Sequence, residues 1–587
     1  MTINVYYQNE LRQLRDLGAE FSKIYPHMAN MLEGPSADPD VERILEGVAF
    51  LTGLLRHKLD DDFPEIVHEL THLVFPHYLR PIPSATILAF QPKPGLKQPI
   101  SIEPGALVAS DRMVDNVKCR FQTCYPVEVF PISLEDAVYV EPDGRPPAIR
   151  LTFQLKGIQL ADFQPRHGLR IHLSGDYTDA ADLYYILRNY VSRICMRAVG
   201  GQNQCVLEDG KAHFKPVGFG LDEGLFPYPT HAFPSYRLLQ EFFILPEKFL
   251  FFDIKGFDRW VDREEGERFE VDLELRYPKG GLPFPVPKIK PRNFTLYATP
   301  AINIFKHEAI PVVIDHRKAE YPIFPGGSGS PHYQVYSVEK VTGYVQGTAR
   351  EKPYLPFDHF NPEPVQFPVY RLRIRESAVH ASGYQVFLMV AYPEARGTPK
   401  PETLSIDLLC TDGMMPENLN AGDIASPTSD LPELVTFKNI IRPTPNQLPP
   451  LGNNLLWRFL SHLSLNYLTI ANAANLKSLL SLYIFRESRE KKKTLENEKR
   501  IEGIEGVEAK KSNRVVDGIL MRGRKVEIRM RHDHYPSHGD MYILGCVLDF
   551  FLGTYSSMNA FTELKIEETL KGDTFRWPPR IGTQHLI

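Results

Sequence analysis

His68-Glu69-Leu70-Thr71-His72 is the first place in this chain where residue type and spacing could do chemistry. Two histidines four apart on a helix present both imidazoles to one side. A glutamate beside them can take a proton from a zinc-bound water, which is the HExxH arrangement of zinc peptidases. The flanking residues count against it. On a helical wheel that starts at Ile66, Leu70 and Leu73 fall within about 40° and Val74 at about 80°, whereas His68 and His72 fall at about 200° and 240°. The imidazoles therefore point away from the apolar stripe, where a catalytic helix would turn them into a protein-lined cleft. Phe75 stands where the longer HExxHxxGxxH signature needs glycine, and Pro76 ends the helix nearby. The favoured reading is a surface or interface helix. His68, Glu69 and His72 stay as the metal candidates of the alternative, a zinc-dependent peptidase.

A second cluster, Arg531-His532-Asp533-His534-Tyr535-Pro536-Ser537-His538-Gly539-Asp540, has the donor types of a metal site. Its order differs from the HxHxDH of binuclear hydrolases. It falls between a strand pattern and a helix pattern, where Asp540 suits an N-cap and Gly539 a turn. A hydrogen-bonded loop is the expectation. Gly218-Phe219-Gly220 finds its next glycine at 224, one position late for GxGxxG, and Gly326–Ser330 has Ser330 where GxSxG needs its last glycine. With no P-loop either, no cofactor and no catalytic residue is expected.

The elements that must position these residues follow from composition and periodicity. A chain of 587 residues exceeds what one core can fill, so several packed units are expected. Lys+Arg of 67 against Asp+Glu of 72, a formal charge of -5, gives no electrostatic case for nucleic acid or an anionic membrane. The first residues lack the basic and apolar regions of a secretory leader, and no apolar run is long enough to span a bilayer. Six cysteines without a CxxC pair suggest reduced thiols in a cytoplasmic protein.

Residues 1–83 read as helices: Tyr7, Leu11, Leu14, Phe21 and Ile24 form one stripe, and Val41, Ile44, Val48, Leu51, Leu55 and Leu59 another. From 84 to about 412 the period changes to two. Phe269, Val271, Leu273 and Leu275 alternate with Arg268, Glu270, Asp272 and Glu274 between Pro- and Gly-rich turns. One helix, Asp179 to Arg197, interrupts the strands. Two sandwich-like modules, 84–225 and 226–412, are expected. Residues 413–587 begin with two amphipathic helices. A charged loop at 486–512 follows, and then a small β-α-β unit built from VEIRMR (526–531), a buried helix at 541–552 and TELKIE (562–567). The expected class is α+β, multidomain. Aromatics among the strands leave a carbohydrate-binding β-sandwich protein as a further alternative.

Several blocks carry a resemblance to a known family. They are DPDVERILEGVAFL (38–51), HAFPSYRLLQEFFILPEKFLFFDIKGFD (231–258), PETLSIDLLCTDGMMPENLNAGDI (401–424), LLWRFLSHLSLNY (455–467) and GDTFRWPPR (572–580). In this order the chain resembles the TssF family, also called ImpG or VasA, a baseplate subunit of the bacterial type VI secretion system. The resemblance implies a structural subunit that forms a wedge with TssG, TssK, TssE and a second TssF copy around a VgrG hub. It implies a place beneath the contractile sheath, in the cytoplasm and docked at the cytoplasmic face of the inner membrane, without insertion into it. Two interface expectations follow. The stripe Tyr7, Leu11, Leu14, Phe21 and Ile24 enters a helix bundle shared with a partner. The C-terminal unit with Arg576, Trp577, Pro578, Pro579 and Arg580 joins neighbouring copies.

Overall fold

The computed structural model describes residues 3–25, 40–41, 43–55, 71, 75–228, 235–277, 281–327, 332–345, 351–357, 367–376, 383–392, 401–451, 472–485, 490–516, 519–556 and 560–582. Leu59 of the second expected stripe, and residues 452–471 with the first of the two amphipathic helices expected after 412, lie outside these. The chain forms two compact units, Met1–Leu79 with Pro450–His462, and Arg80–Pro449 with Leu463–Ile587.

The first unit contains helix α1, Ile3–Ile24, and a helical stretch at 43–55. The 3.6-residue repeat of apolar side chains dictates both.

The second unit is a mixed α+β body built on antiparallel sheets. In one six-stranded sheet, Ala85–Pro92 lies between Ala298–Ile302 and Val435–Asn439. Three of the four segments expected from the sequence therefore meet in one sheet. The Thr444 hydroxyl tightens this closure by accepting from the Ala85 N–H at 2.9 Å. A five-stranded sheet has the order Gln204–Leu207, Val191–Ala198, Arg268–Leu275, Ala148–Leu155, Ile132–Val140. Here the period-two reading is direct. Phe269, Val271 and Leu273 are buried, while Glu270, Asp272 and Glu274 pair across strands with Arg197, Arg150 and Arg193. An eight-stranded sheet gathers strands between Phe305 and Thr411.

Helix α2, Tyr177–Tyr190, starts at the N-cap Asp176, whose side chain accepts from the Thr178 N–H. It is shorter than the expected Asp179–Arg197. Its last seven positions form a strand, Val191–Ala198, because Val191, Ile194 and Met196 are needed in the sheet beside Arg268–Leu275. Helix α3, Ser235–Ile244, and helix α4, Ala473–Ser481, follow. The expected charged loop at 486–512 is instead helix α5, Lys491–Glu502, and strand Ile504–Val516. Only Asn497, Arg500 and Ile501 of α5 are buried, so its core face was too narrow for an apolar stripe to reveal. Helix α6, His538–Tyr555, packs on α2 and α3 and against strand Ala560–Glu568. The last sheet has the order Ile504–Val516, Ile519–Met530, Ala560–Glu568, Thr574–Arg576. Ile519–Met530 and Ala560–Glu568 run parallel, which gives the expected β-α-β unit.

Candidate assembly surfaces and the charge centres beneath them

On α1, Leu11 is buried and Tyr7 and Leu14 are half-buried, but Phe21 and Ile24 are 44% and 70% exposed. Leu17, absent from the predicted stripe, is exposed beside them. In the stretch 43–55, Ile44, Val48, Leu51 and Leu55 are all exposed. Both rows, 14-17-21-24 and 44-48-51-55, step by three and four, the spacing of helices that pack on other helices. Exposed apolar area in contiguous rows marks an interaction site.

His68, Glu69 and His72 lie outside the described residues. Only Thr71 of the motif is described, and it is buried. Among the described residues no group of three or more His, Cys, Asp or Glu could hold a metal ion.

The 531–540 cluster is a junction of helices. Ser537, not Asp540, caps α6, its hydroxyl accepting from the Asp540 N–H at 3.2 Å. Asp540 points inward. Arg500 of α5 donates to both of its oxygens, at 2.8 and 2.9 Å, and the Tyr177 hydroxyl donates to Oδ1 at 2.6 Å. Burial, then the Asp540 charge, pushes the Tyr177 phenol well above the usual tyrosine range, so it remains a donor. The Gly539 N–H donates to Asp182 Oδ1 at 2.7 Å, and a Cβ at position 539 would overlap the Ala181 carbonyl. That glycine serves a close helix–helix approach, not the turn expected from sequence. His532 Nδ1 lies 2.8 Å from Glu568 Oε1, and its ring stacks on His538 at 5.0 Å. Burial, then Lys571 and His532 nearby, lowers the His538 pKa, which favours the neutral imidazole. Asp540, Asp533 and His532 are thus committed to neighbours within the chain. Sequence reasoning missed Tyr177, Asp182 and Arg500, which come from distant segments and carry no local signal.

The RWPPR stretch folds back on α6. Trp577 is buried, stacks on Tyr542 at 5.4 Å, and its indole N–H donates to Cys546 Sγ at 3.3 Å. Arg580 pairs with Asp549 and lies 3.6 Å over the Phe550 ring. Arg576 and Pro578 are exposed, and Pro579 is half-buried. Trp577 and Arg580 are thus occupied in intrachain packing, which leaves Arg576 and Pro578 as the outward part of the motif.

A second unforeseen centre is the pair Glu241–Lys248, both side chains wholly buried. Glu241 also accepts from the Leu225 N–H at 2.6 Å. Burial lowers the Lys248 ammonium and Glu241 opposes it. Half of its sequence signal was present: Lys248 interrupts the apolar run 242–252, whereas Glu241 lies just before it.

These features define a multi-sheet scaffold with buried ion pairs locking its helices and exposed apolar rows on a separate helical unit. The sequence matches the family described as "Type VI secretion system, TssF" over residues 1–584. It is 29% identical to the type VI secretion system component TssF1 of Pseudomonas aeruginosa, covering 99% of this chain and 98% of that one. Among solved structures it is similar to a chain of a type VI secretion TssK-TssF-TssG baseplate subcomplex. That match has a TM-score of 0.74 at 26% identity, over 92% of this chain and 99% of that one. A chain of a type VI secretion baseplate complex shares the fold, with a TM-score of 0.57 at 24% identity over the full length of both. The chain belongs to the TssF family, and its role is that of a structural component of the type VI secretion baseplate.

Proposed function

We propose that this chain assembles with TssG and TssK into a baseplate wedge, and that the N-terminal helices make the joint with TssG. The exposed residues Leu17, Phe21 and Ile24 and the row 44-48-51-55 carry this reading. Two apolar rows on one small unit need partner helices to cover them, and the related TssF chain comes from a complex that also holds TssK and TssG. Wedges would then gather TssE and a second copy of this chain around a VgrG hub. Arg576 and Pro578 are the residues left outward for contact between copies.

The reading is non-catalytic: the junction at Asp540 and the pair at Glu241 hold the scaffold rigid so that separate surfaces keep fixed relations. The location that fits is the cytoplasm, with the assembled baseplate docked at the inner membrane. Among the described residues no helix is long and apolar enough to cross a membrane.

Co-expression with TssG and TssK followed by size-exclusion chromatography tests the proposal. The three chains should co-elute. Leu17→Asp with Phe21→Asp should abolish co-elution while the second unit stays folded. Survival of the complex in that variant would refute the N-terminal joint.

A further inference from the structure

Strands Ile504–Val516 and Ile519–Met530 form a hairpin ribbon near the C-terminus, and the second of them pairs with Ala560–Glu568 over Arg522–Met530. Toward its turn the ribbon presents Val515 and Leu520, paired directly across the strands and 66% and 65% exposed.

The two faces differ in charge. Cross-strand partners share a face, and faces alternate along a strand. On one face Lys510 and Lys525 lie opposite each other, and both reach Glu527 at 3.2 Å. Arg514 on that face meets Glu563 at 3.7 Å. Carboxylates of the chain thus neutralise it. On the other face Lys511 lies opposite Arg524 and Asn513 opposite Arg522, in line with Val515 and Leu520. Lys511 and Arg522 have no carboxylate within ion-pair distance among the described residues. Lys511 and Arg522 thus put two cations without an ion-pair partner among the described residues on the face that carries Val515 and Leu520, and that face attracts an anion. Among the described residues Ile504–Val516 is also an edge strand, paired only with its hairpin partner.

We propose that this ribbon is a docking surface for an acidic segment of another protein, with carboxylates against Lys511 and Arg522 and an apolar side chain against Val515 and Leu520. The edge strand favours a protein over other polyanions, because its open N–H and C=O groups can be paired by a peptide backbone and not by phosphates. The exposed apolar pair points the same way, since it offers nothing to a phosphate. This surface is independent of the N-terminal joint.

The test uses the purified full-length chain and a short fluorescent peptide alternating glutamate and leucine. Binding should be salt-sensitive. It should weaken at least tenfold in Lys511→Glu/Arg522→Glu and measurably in Leu520→Asp. Lys511→Gln/Arg522→Gln guards against misfolding: with an unchanged unfolding midpoint, it should also weaken binding. No binding of the peptide, or affinity unchanged in the charge variants, would overturn the proposal. So would duplex DNA or phosphatidylglycerol vesicles binding as tightly as the peptide.

Discussion

Arg500 grips both carboxylate oxygens of Asp540 in a place where its own side chain is 5% exposed and that of Asp540 is wholly buried. The Tyr177 hydroxyl reaches the same carboxylate from a position 363 residues earlier in the chain. Removing one member leaves a buried charge without its counterpart. Asp540→Ala is expected to lower the unfolding free energy by about 3–5 kcal/mol. Arg500→Met with Asp540→Leu should recover part of that loss. Urea denaturation followed by fluorescence measures both. A loss below about 1 kcal/mol in the single variant would contradict a dry, paired site.

Glu568 sets an acid limit for the loop after its strand. Burial alone would raise its carboxyl, but His532 and the N–H groups of Lys571, Leu570 and His532 hold it down, to about 2 from an ordinary 4.5. A depressed carboxylate stabilises the fold above its unfolded value and stops doing so as pH falls through its folded value. The contribution is therefore complete above about pH 4.5 and lost between pH 4.5 and 2. Glu568→Gln should flatten the melting temperature over that window. Superimposable profiles for variant and parent would contradict the assignment.

Within α1 the same stripe should divide into core and surface. Leu11→Ala is expected to cost about 2 kcal/mol or more, because it opens a cavity. Phe21→Asp and Ile24→Asp should change the stability of the isolated chain by no more than about 0.5 kcal/mol. Thermal unfolding of the free chain, set beside co-elution with TssG and TssK, separates the two effects.

Trp577→Ala should destabilise the second unit by about 3–5 kcal/mol, since the indole fills the space above Gly545. Arg576→Glu and Pro578→Asp should leave stability nearly unchanged. They are the clean probes of contact between copies. Deleting the whole C-terminal unit would remove α6 from α2 and α3 and unfold what it was meant to test. Sedimentation of assembled wedges with the point variants reads the contact directly.

The alternation of Phe269, Val271 and Leu273 with Glu270, Asp272 and Glu274 was legible because a half-buried strand writes its two faces into successive residues. The β-α-β unit was legible for a similar reason, as its helix carries the apolar run Met541–Leu548 between two strand patterns. Helix α5 was not, because three buried positions, one of them an arginine, leave no apolar stripe. The boundary after Tyr190 was lost because Val191, Ile194 and Met196 suit a helix stripe as well as a strand face. Asp540 was read as a cap from its local position, yet its partners lie at 177 and 500, beyond the reach of any local pattern.

The seating of Ala85–Pro92 between Ala298–Ile302 and Val435–Asn439 bears on how the subunit is made. The first strand to leave the ribosome has one neighbour that emerges more than two hundred residues later, and another later still. Helix α2 waits longer, for α6. Contacts of such sequence separation form slowly and only after synthesis is nearly complete. A prematurely terminated chain would expose unpaired edges and an uncovered helix face, and would be removed as misfolded. Topology thereby acts as a completeness check, admitting only finished subunits to the machine.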